Sequence, residues 1–541
     1  MDTLFVNGSV FDGRRHRPGL AVGVRAGRIA AVAADLSELR GPRTEVVDLA
    51  GGLVLPGFVD AHIHPVQGGL ERARCDLSPA SGLAAYLEKI ARYAGEHPEL
   101  PWIVGGGWHQ PHFPGGVPAA ADLDAVVADR PVFLVNADHH GAWANSRALE
   151  LAGVDTRTPD PPDGRIERGP DGAPTGTLHE GAMDLVGRLV PPTTQAELVA
   201  ALIDAQAYLH SLGITGWQDA ILGDYANIGD ATPAYVELAR DGRLTARVVG
   251  ALWWQRDRGA DQIPELVVRR DALRYPRFRA GTVKIMQDGV AENFTAGMLE
   301  PYFDGCGCRT ANAGLSFVDP VALERHVTRL DAEGFQVHVH AIGDRAVREA
   351  LDAFEAALKE NGDSDLRHHI AHLQVIHPDD LGRFAELGVA ANLQALWAVY
   401  EPQMVDLTIP FLGQERTGWQ YPFGALARSG ARLAAGSDWP VSSPDPLAAV
   451  HVAVNRMAPG DRDAFLPEQA LDLATALAAY TSGSAWLNHE DETGRIEVGA
   501  LADLAVLDRD PFTGPPEAIA DARVRATYVE GECVFGDQTT R

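Results

Sequence analysis

Two histidines one residue apart, His62 and His64 in GFVDAHIHP, are the first residues of this 541-residue chain whose spacing carries chemical meaning. On an extended segment, side chains two positions apart project to one face, so both imidazoles can approach one cation. Similar groups recur downstream: His338 and His340 in FQVHVHAIG, His368, His369 and His372 in RHHIAHLQ, and Asp438 in GSDW. Imidazoles with a carboxylate suit a divalent ion, zinc by default, with iron or manganese as alternatives. For any one of these residues a satisfied structural histidine is the rival reading. Their recurrence at separate places argues for one shared metal site.

Lysine occurs three times, at Lys89, Lys284 and Lys359, within a Lys plus Arg total of 46. Lys89 and Lys359 stand in charge-speckled helical stretches. Lys284 stands in GTVKIMQDG, a β-branched and apolar run that reads as a buried strand. A lone ammonium is costly to bury unless it is paired, neutralised or bound. In a chain that otherwise uses arginine, this position points to a task for a primary amine.

The elements needed to bring these residues together are also legible. Eight strand-like runs, LVLPGFVDAHIH, GITGWQDA, RVVGALWW, GTVKIMQDG, FQVHVHAIG, RHHIAHLQ, GVAANLQA and RLAAGSDW, alternate with helical patterns such as DRAVREALDAFEAALKE. This alternation predicts an α/β fold, a (β/α)8 TIM barrel over residues 56–486, in which chemistry gathers where strands end at one face. Short strand patterns at both ends of the chain predict a small β-sandwich domain built from residues 1–55 and 487–541. Residues of about 65–205 are too long for one crossover and are expected to form an inserted lid.

The bulk properties narrow the function. A net charge of −28 argues against nucleic-acid or anionic-membrane surfaces. No apolar run approaches the roughly 18 residues of a membrane span, and the first residues lack the pattern of a signal peptide. Four scattered cysteines, including a CxC at Cys306 and Cys308, are too few for a structural zinc site and fit a reduced, cytoplasmic protein. A homodimer is compatible with these properties.

The ordered motifs GFVDAHIHP, VKIMQDG, VHAIGDRAV, IAHLQ and GSDWPVSSPDPL resemble the amidohydrolase superfamily of metal-dependent hydrolases. The branch most similar contains N-substituted formamide deformylase. GWHQPHFPGG, DRPVFLVNADHHGAWANSRAL, PTGTLHEGA and TGRIEVGALADLAVLDRDP extend the likeness over nearly the whole chain. The resemblance implies His62, His64 and Asp438 as ligands of one metal and His340 and His372 as ligands of a second. It further implies that Lys284 carries a carbamate bridging the two ions. An arginine, always charged, could not take that role. His338 competes with His340 for its role, and the motif favours His340. His372 stands in IAHLQ where the family pattern is IEHAQ.

The resemblance also implies a reaction: hydrolysis of an amide-type C–N bond by metal-activated water, with Asp438 as base. His140, the second residue of the His139–His140 doublet, would reach the substrate, with a solvent-facing loop histidine as its rival reading. Trp108, Trp143, Trp397 and Tyr400 stand in loops expected near the mouth, and Trp108, His140 and Trp397 are the expected substrate contacts. Glu180 is expected near the mouth without an assigned step. The competing readings are a mononuclear deaminase or chlorohydrolase, a cyclic imide, ureide or lactone hydrolase, and a non-catalytic relative.

Overall fold

The computed structural model describes residues 1–225 and 229–536, so the last five residues of the predicted sandwich domain lie outside the described residues. Eight parallel strands form the centre: β1 (Phe58–Ile63), β2 (Ile214–Leu222), β3 (Arg247–Trp253), β4 (Phe278–Met286), β5 (Gln336–Ala341), β6 (His369–His372), β7 (Ala390–Leu393) and β8 (Leu433–Ala435). They pair in sequence order from β1 to β8. Past the end of β8, Asp438 N–H donates to the His62 carbonyl at 2.7 Å and His64 N–H to the Trp439 carbonyl at 2.9 Å, which joins the last strand to the first. This is the TIM barrel expected from the alternation of strands and helices.

Helices cover the outside of the barrel. Helix Gln195–Ser211 begins with a capping box in which the Thr194 hydroxyl and the Glu197 backbone and side chain satisfy one another. It buries Leu198, Leu202, Ala205 and Leu209 in the same core as the barrel's Phe58 and Ile214. The helix therefore belongs to the barrel wall, and the expected lid boundary near residue 205 lies too late. The inserted segment is a six-stranded sheet running from Cys75–Asp76 to Pro174–Glu180. It has apolar cores of its own, one of them built on Tyr86, Trp108, Leu134 and Trp143.

Two further sheets pack together, one of them built from both ends of the chain. Strand Leu53–Pro56 pairs antiparallel with Leu504–Leu507, and Val524–Val529 extends that sheet. A four-stranded sheet built on Thr3–Val6 faces it across a core of Phe5, Val22, Val24, Val54, Leu504, Val506 and Tyr528. Alternating apolar residues on each strand supply the two inner faces.

Candidate metal centre

Strand register places the chemistry. Across the wall, Lys284 of β4 lies opposite His338 of β5, and His338 lies opposite His369 of β6. One step toward the mouth, Met286 lies opposite His340. Side chains two apart on a strand share a face, so His338 and His340 both point inward, one above the other. His372 would face outward by strict alternation, since it lies three positions from His369. Its φ of 79° turns the chain there, a conformation that costs a non-glycine residue energy and clusters at functional sites. Asp438, with φ 58°, ends the β8 segment in the same way.

The residues converge on one cavity of about 270 Å³, whose lining includes His62, His64, Lys284, His340, His372 and Asp438. Nε2 of His62 and Nε2 of His64 each lie 3.0 Å from Oδ1 of Asp438. His62, His372 and Asp438, all buried, offer ligand atoms within 4.8 Å of one another. Nδ1 of His340 lies 3.2 Å from Asp288, which leaves Nε2 of His340 uncommitted. Nδ1 of His372 is buried without a hydrogen-bond partner.

Burial keeps the imidazoles of His62, His340 and His372 neutral. It depresses His62 to about 3, with Lys284 adding to the effect, and holds His340 and His372 well below the ordinary histidine range. Burial also lowers the Lys284 ammonium to about 7, against the attraction of Asp438. Burial disfavours the charge on Asp438, but the imidazoles of His62 and His64 outweigh it and keep the carboxyl ionised. Neutral imidazoles, a carboxylate, a readily deprotonated amine and an orphaned ring nitrogen fit a divalent cation.

Several residues that hold this set in place were not singled out from the sequence. Asp60 Oδ1 accepts the N–H groups of both His62 and Ser437 at 3.0 Å, fastening the end of β1 to the β8 segment. Gly436 lets them meet, since a Cβ there would lie 2.5 Å from the His62 nitrogen. Asp288 accepts from the backbone N–H groups of Gly297, Ile342 and Gly343, and so orients His340 from behind. An acid two residues from a histidine on the same strand, and an acid just after the Lys284 run, were the available signals.

The inserted sheet supplies the roof. His139 and His140 are both buried, which counts against the rival reading of a solvent-facing loop histidine. His140 Nδ1 lies 3.0 Å from both oxygens of Glu180, and the Glu180 carboxylate raises the imidazole to about 9 against the opposing effect of burial. The pair is tied to the loop after β4: Asn293 donates to the His140 carbonyl at 2.9 Å and Thr295 to Glu180 at 2.8 Å. His139 pairs with Glu71 at 3.0 Å, on the helix after β1.

Of the four aromatic residues expected at the mouth, Trp397 lines the cavity and stacks on His372 at 5.3 Å between ring centroids. Trp108, expected to touch substrate, does not line it. Its ring is fully buried in the inserted sheet, donates to the Leu134 carbonyl at 2.9 Å and packs on Phe113 and Trp143. Trp143 shares that core, and Tyr400 packs on Phe465 outside the cavity. Tyr225, Trp253 and Tyr421 line the cavity and were not anticipated. Trp253 had a signal, because it ends β3 directly opposite Lys284.

An eight-stranded barrel whose strand ends present four imidazoles, a lysine and an aspartate to one cavity defines a hydrolase of the metal-dependent class. The sequence matches the amidohydrolase family model over residues 45–535, and the chain belongs to that family, a hydrolase of carbon–nitrogen bonds. It is 32% identical to Protein LONG AFTER FAR-RED 3 of Arabidopsis thaliana, over 99% of this chain and 91% of that protein. It is 28% identical to N-substituted formamide deformylase of Arthrobacter pascens, over 98% and 97%. Among solved structures, an uncharacterized metal-dependent hydrolase from Pyrococcus horikoshii OT3 aligns with a TM-score of 0.73 at 27% identity, over 95% of this chain and 99% of that one. No helix among the described residues is long and apolar enough to cross a membrane.

Proposed function

We propose that the chain hydrolyses an amide bond of an N-substituted formamide or a related N-acyl amine. The convergence of His62, His64, Lys284, His340, His372 and Asp438 on one cavity carries this reading. The formamide class comes from the likeness to the Arthrobacter pascens deformylase. His62, His64 and Asp438 would hold one zinc ion and His340 and His372 a second, with a carbamate on Lys284 between them. The lowered pKa of Lys284 supports that modification, because the neutral amine is the form that combines with CO₂.

Divalent ions held there supply two things: they acidify water and polarise a carbonyl oxygen. The chain's own groups do the rest. Asp438, ionised and 3.0 Å from both His62 and His64, takes the proton of the attacking water. As the C–N bond breaks, it passes that proton to the departing nitrogen, which leaves as the amine while the acyl carbon leaves as the acid. His140, kept protonated by Glu180, donates a hydrogen bond to the oxygen that gains charge. Trp397, Tyr225 and Trp253 offer an apolar surface to the nitrogen substituent.

A single-ion reading also has an observation in its favour, since among the described residues His62, His372 and Asp438 alone form a compact ligand group. Metal analysis of purified protein, with a panel of N-formyl and N-acyl amines assayed with and without bicarbonate, tests both. About two ions per chain and bicarbonate-stimulated hydrolysis support the binuclear site. One ion, with no response to bicarbonate, leaves the mononuclear one.

A further inference from the structure

Beneath the cavity, a column of polar side chains fills the barrel where aliphatic layers are usual. His338, Gln218, Gln336, His369 and Asn392 are each almost inaccessible to solvent. Their hydrogen bonds can be assigned from one end, because a backbone carbonyl only accepts. Nε2 of Gln336 lies 2.8 Å from the carbonyls of Arg367 and Leu487, so the Gln336 amide nitrogen must face them. Oε1 of Gln336 then accepts from Thr282 at 2.7 Å and from Gln218 at 3.0 Å. The Gln218 amide also donates to Asn488 at 3.1 Å, which leaves its oxygen facing two imidazoles. That oxygen lies 2.8 Å from Nδ1 of His338 and 3.1 Å from Nε2 of His369, and both nitrogens must carry hydrogen.

The order continues upward. With its hydrogen on Nδ1, a neutral His338 has a bare Nε2, and this atom lies 2.8 Å from Nδ1 of His62. His62 must therefore donate from Nδ1. Its Nε2 is left for the cavity, 3.0 Å from a carboxylate oxygen of Asp438. A bare ring nitrogen and a carboxylate oxygen at that distance repel unless a cation or a proton lies between them. Lys284 Nζ, 3.3 Å from the same His338 nitrogen, competes for a lone pair that His62 already uses.

We infer that His338 is a positioning residue and not a metal ligand: the chain Gln336–Gln218–His338 fixes the hydrogen of His62 on Nδ1, so that Nε2 alone is presented to a cation. This rests on reading the cavity as a metal centre. Hydrogen-bond partners of this kind set which imidazole nitrogen binds. Phenylalanine in His338→Phe keeps a ring without an acceptor. His338→Gln restores an acceptor near the lost Nε2. Gln218→Met breaks the chain one residue further from the site.

Nitrogen-15 spectra of histidine-labelled protein, before and after chelation, read the position of the hydrogen, with the His62 signals assigned by their loss in His62→Asn. The expected result is an Nδ1–H on His62 in both wild-type samples that is lost in His338→Phe. Zinc affinity measured by chelator competition should fall about 10- to 100-fold in His338→Phe. It should fall in Gln218→Met as well and be largely recovered in His338→Gln. A His62 hydrogen on Nε2 alone in the wild type, or unchanged affinity in both His338→Phe and Gln218→Met, overturns the inference. Wild-type protein that takes up no zinc overturns the metal reading, while the Nδ1–H readout still decides the relay.

Discussion

Both carboxylate oxygens of Glu180 lie 3.0 Å from one nitrogen of His140, although the two residues stand forty positions apart, His140 just before one strand of the inserted sheet and Glu180 at the end of another. The carboxylate keeps the imidazole charged up to about pH 9. A raised histidine pKa means that the protonated form is full at neutral pH and lost as pH climbs through that value. Glu180→Gln removes the charge and leaves burial to dominate, which pulls His140 below its ordinary value. The alkaline limb of kcat/KM should move from about 9 to below neutrality, with metal content unchanged. A pH–rate profile of the variant checks this.

Asp438→Asn removes the group that carries the proton between water and the leaving nitrogen. With metal content matched to the wild type, kcat should fall roughly 10²- to 10⁴-fold. Turnover at the wild-type rate would remove Asp438 from that role.

Lys284 makes stability depend on pH in the chelated, bicarbonate-free protein. Burial lowers its pKa from 10.5 to about 7. Between those values the unfolded chain binds a proton here that the folded chain does not, so stability rises with pH across the window and is level below it, where both states carry the proton. Lys284→Met should flatten this rise in denaturant titrations at pH 7 to 10. It should also lower the number of ions bound per chain.

Two tryptophans should behave in opposite ways. Trp397→Ala removes a cavity wall, and KM for amines bearing an aromatic substituent should rise about three- to tenfold, an aromatic contact being worth roughly 1 kcal/mol. Trp108→Ala hollows out the core of the inserted sheet and should cost about 3–5 kcal/mol in stability. Its KM, measured on the folded fraction, should stay near that of the wild type.

The barrel was legible because each strand is a short β-branched or apolar run between helical patterns, and because the histidines and Asp438 fall at the ends of such runs. The order of the ligands along the chain was therefore readable. Long-range pairing was not. Nothing local to His338 shows that its ring meets His62, 276 positions earlier, and not the cavity. Trp108 misled because its Gly-rich surroundings read as a mouth loop, whereas it ends the strand Ile103–Trp108 and packs into a core that only the folded inserted sheet creates. His372 points inward through a positive φ that alternation cannot foresee, and its motif, not its spacing, singled it out.

The hydrogen bond from Asp438 N–H to the His62 carbonyl closes the barrel, and the side chains of the same two residues face each other in the cavity. The seam of the fold and the heart of its chemistry are thus one pair of residues. Heat that loosens the first and last strands will separate them before the remaining wall gives way. Loss of activity on warming should therefore precede loss of helical signal, and an ion held by His62 and Asp438 would act as a clasp on the barrel.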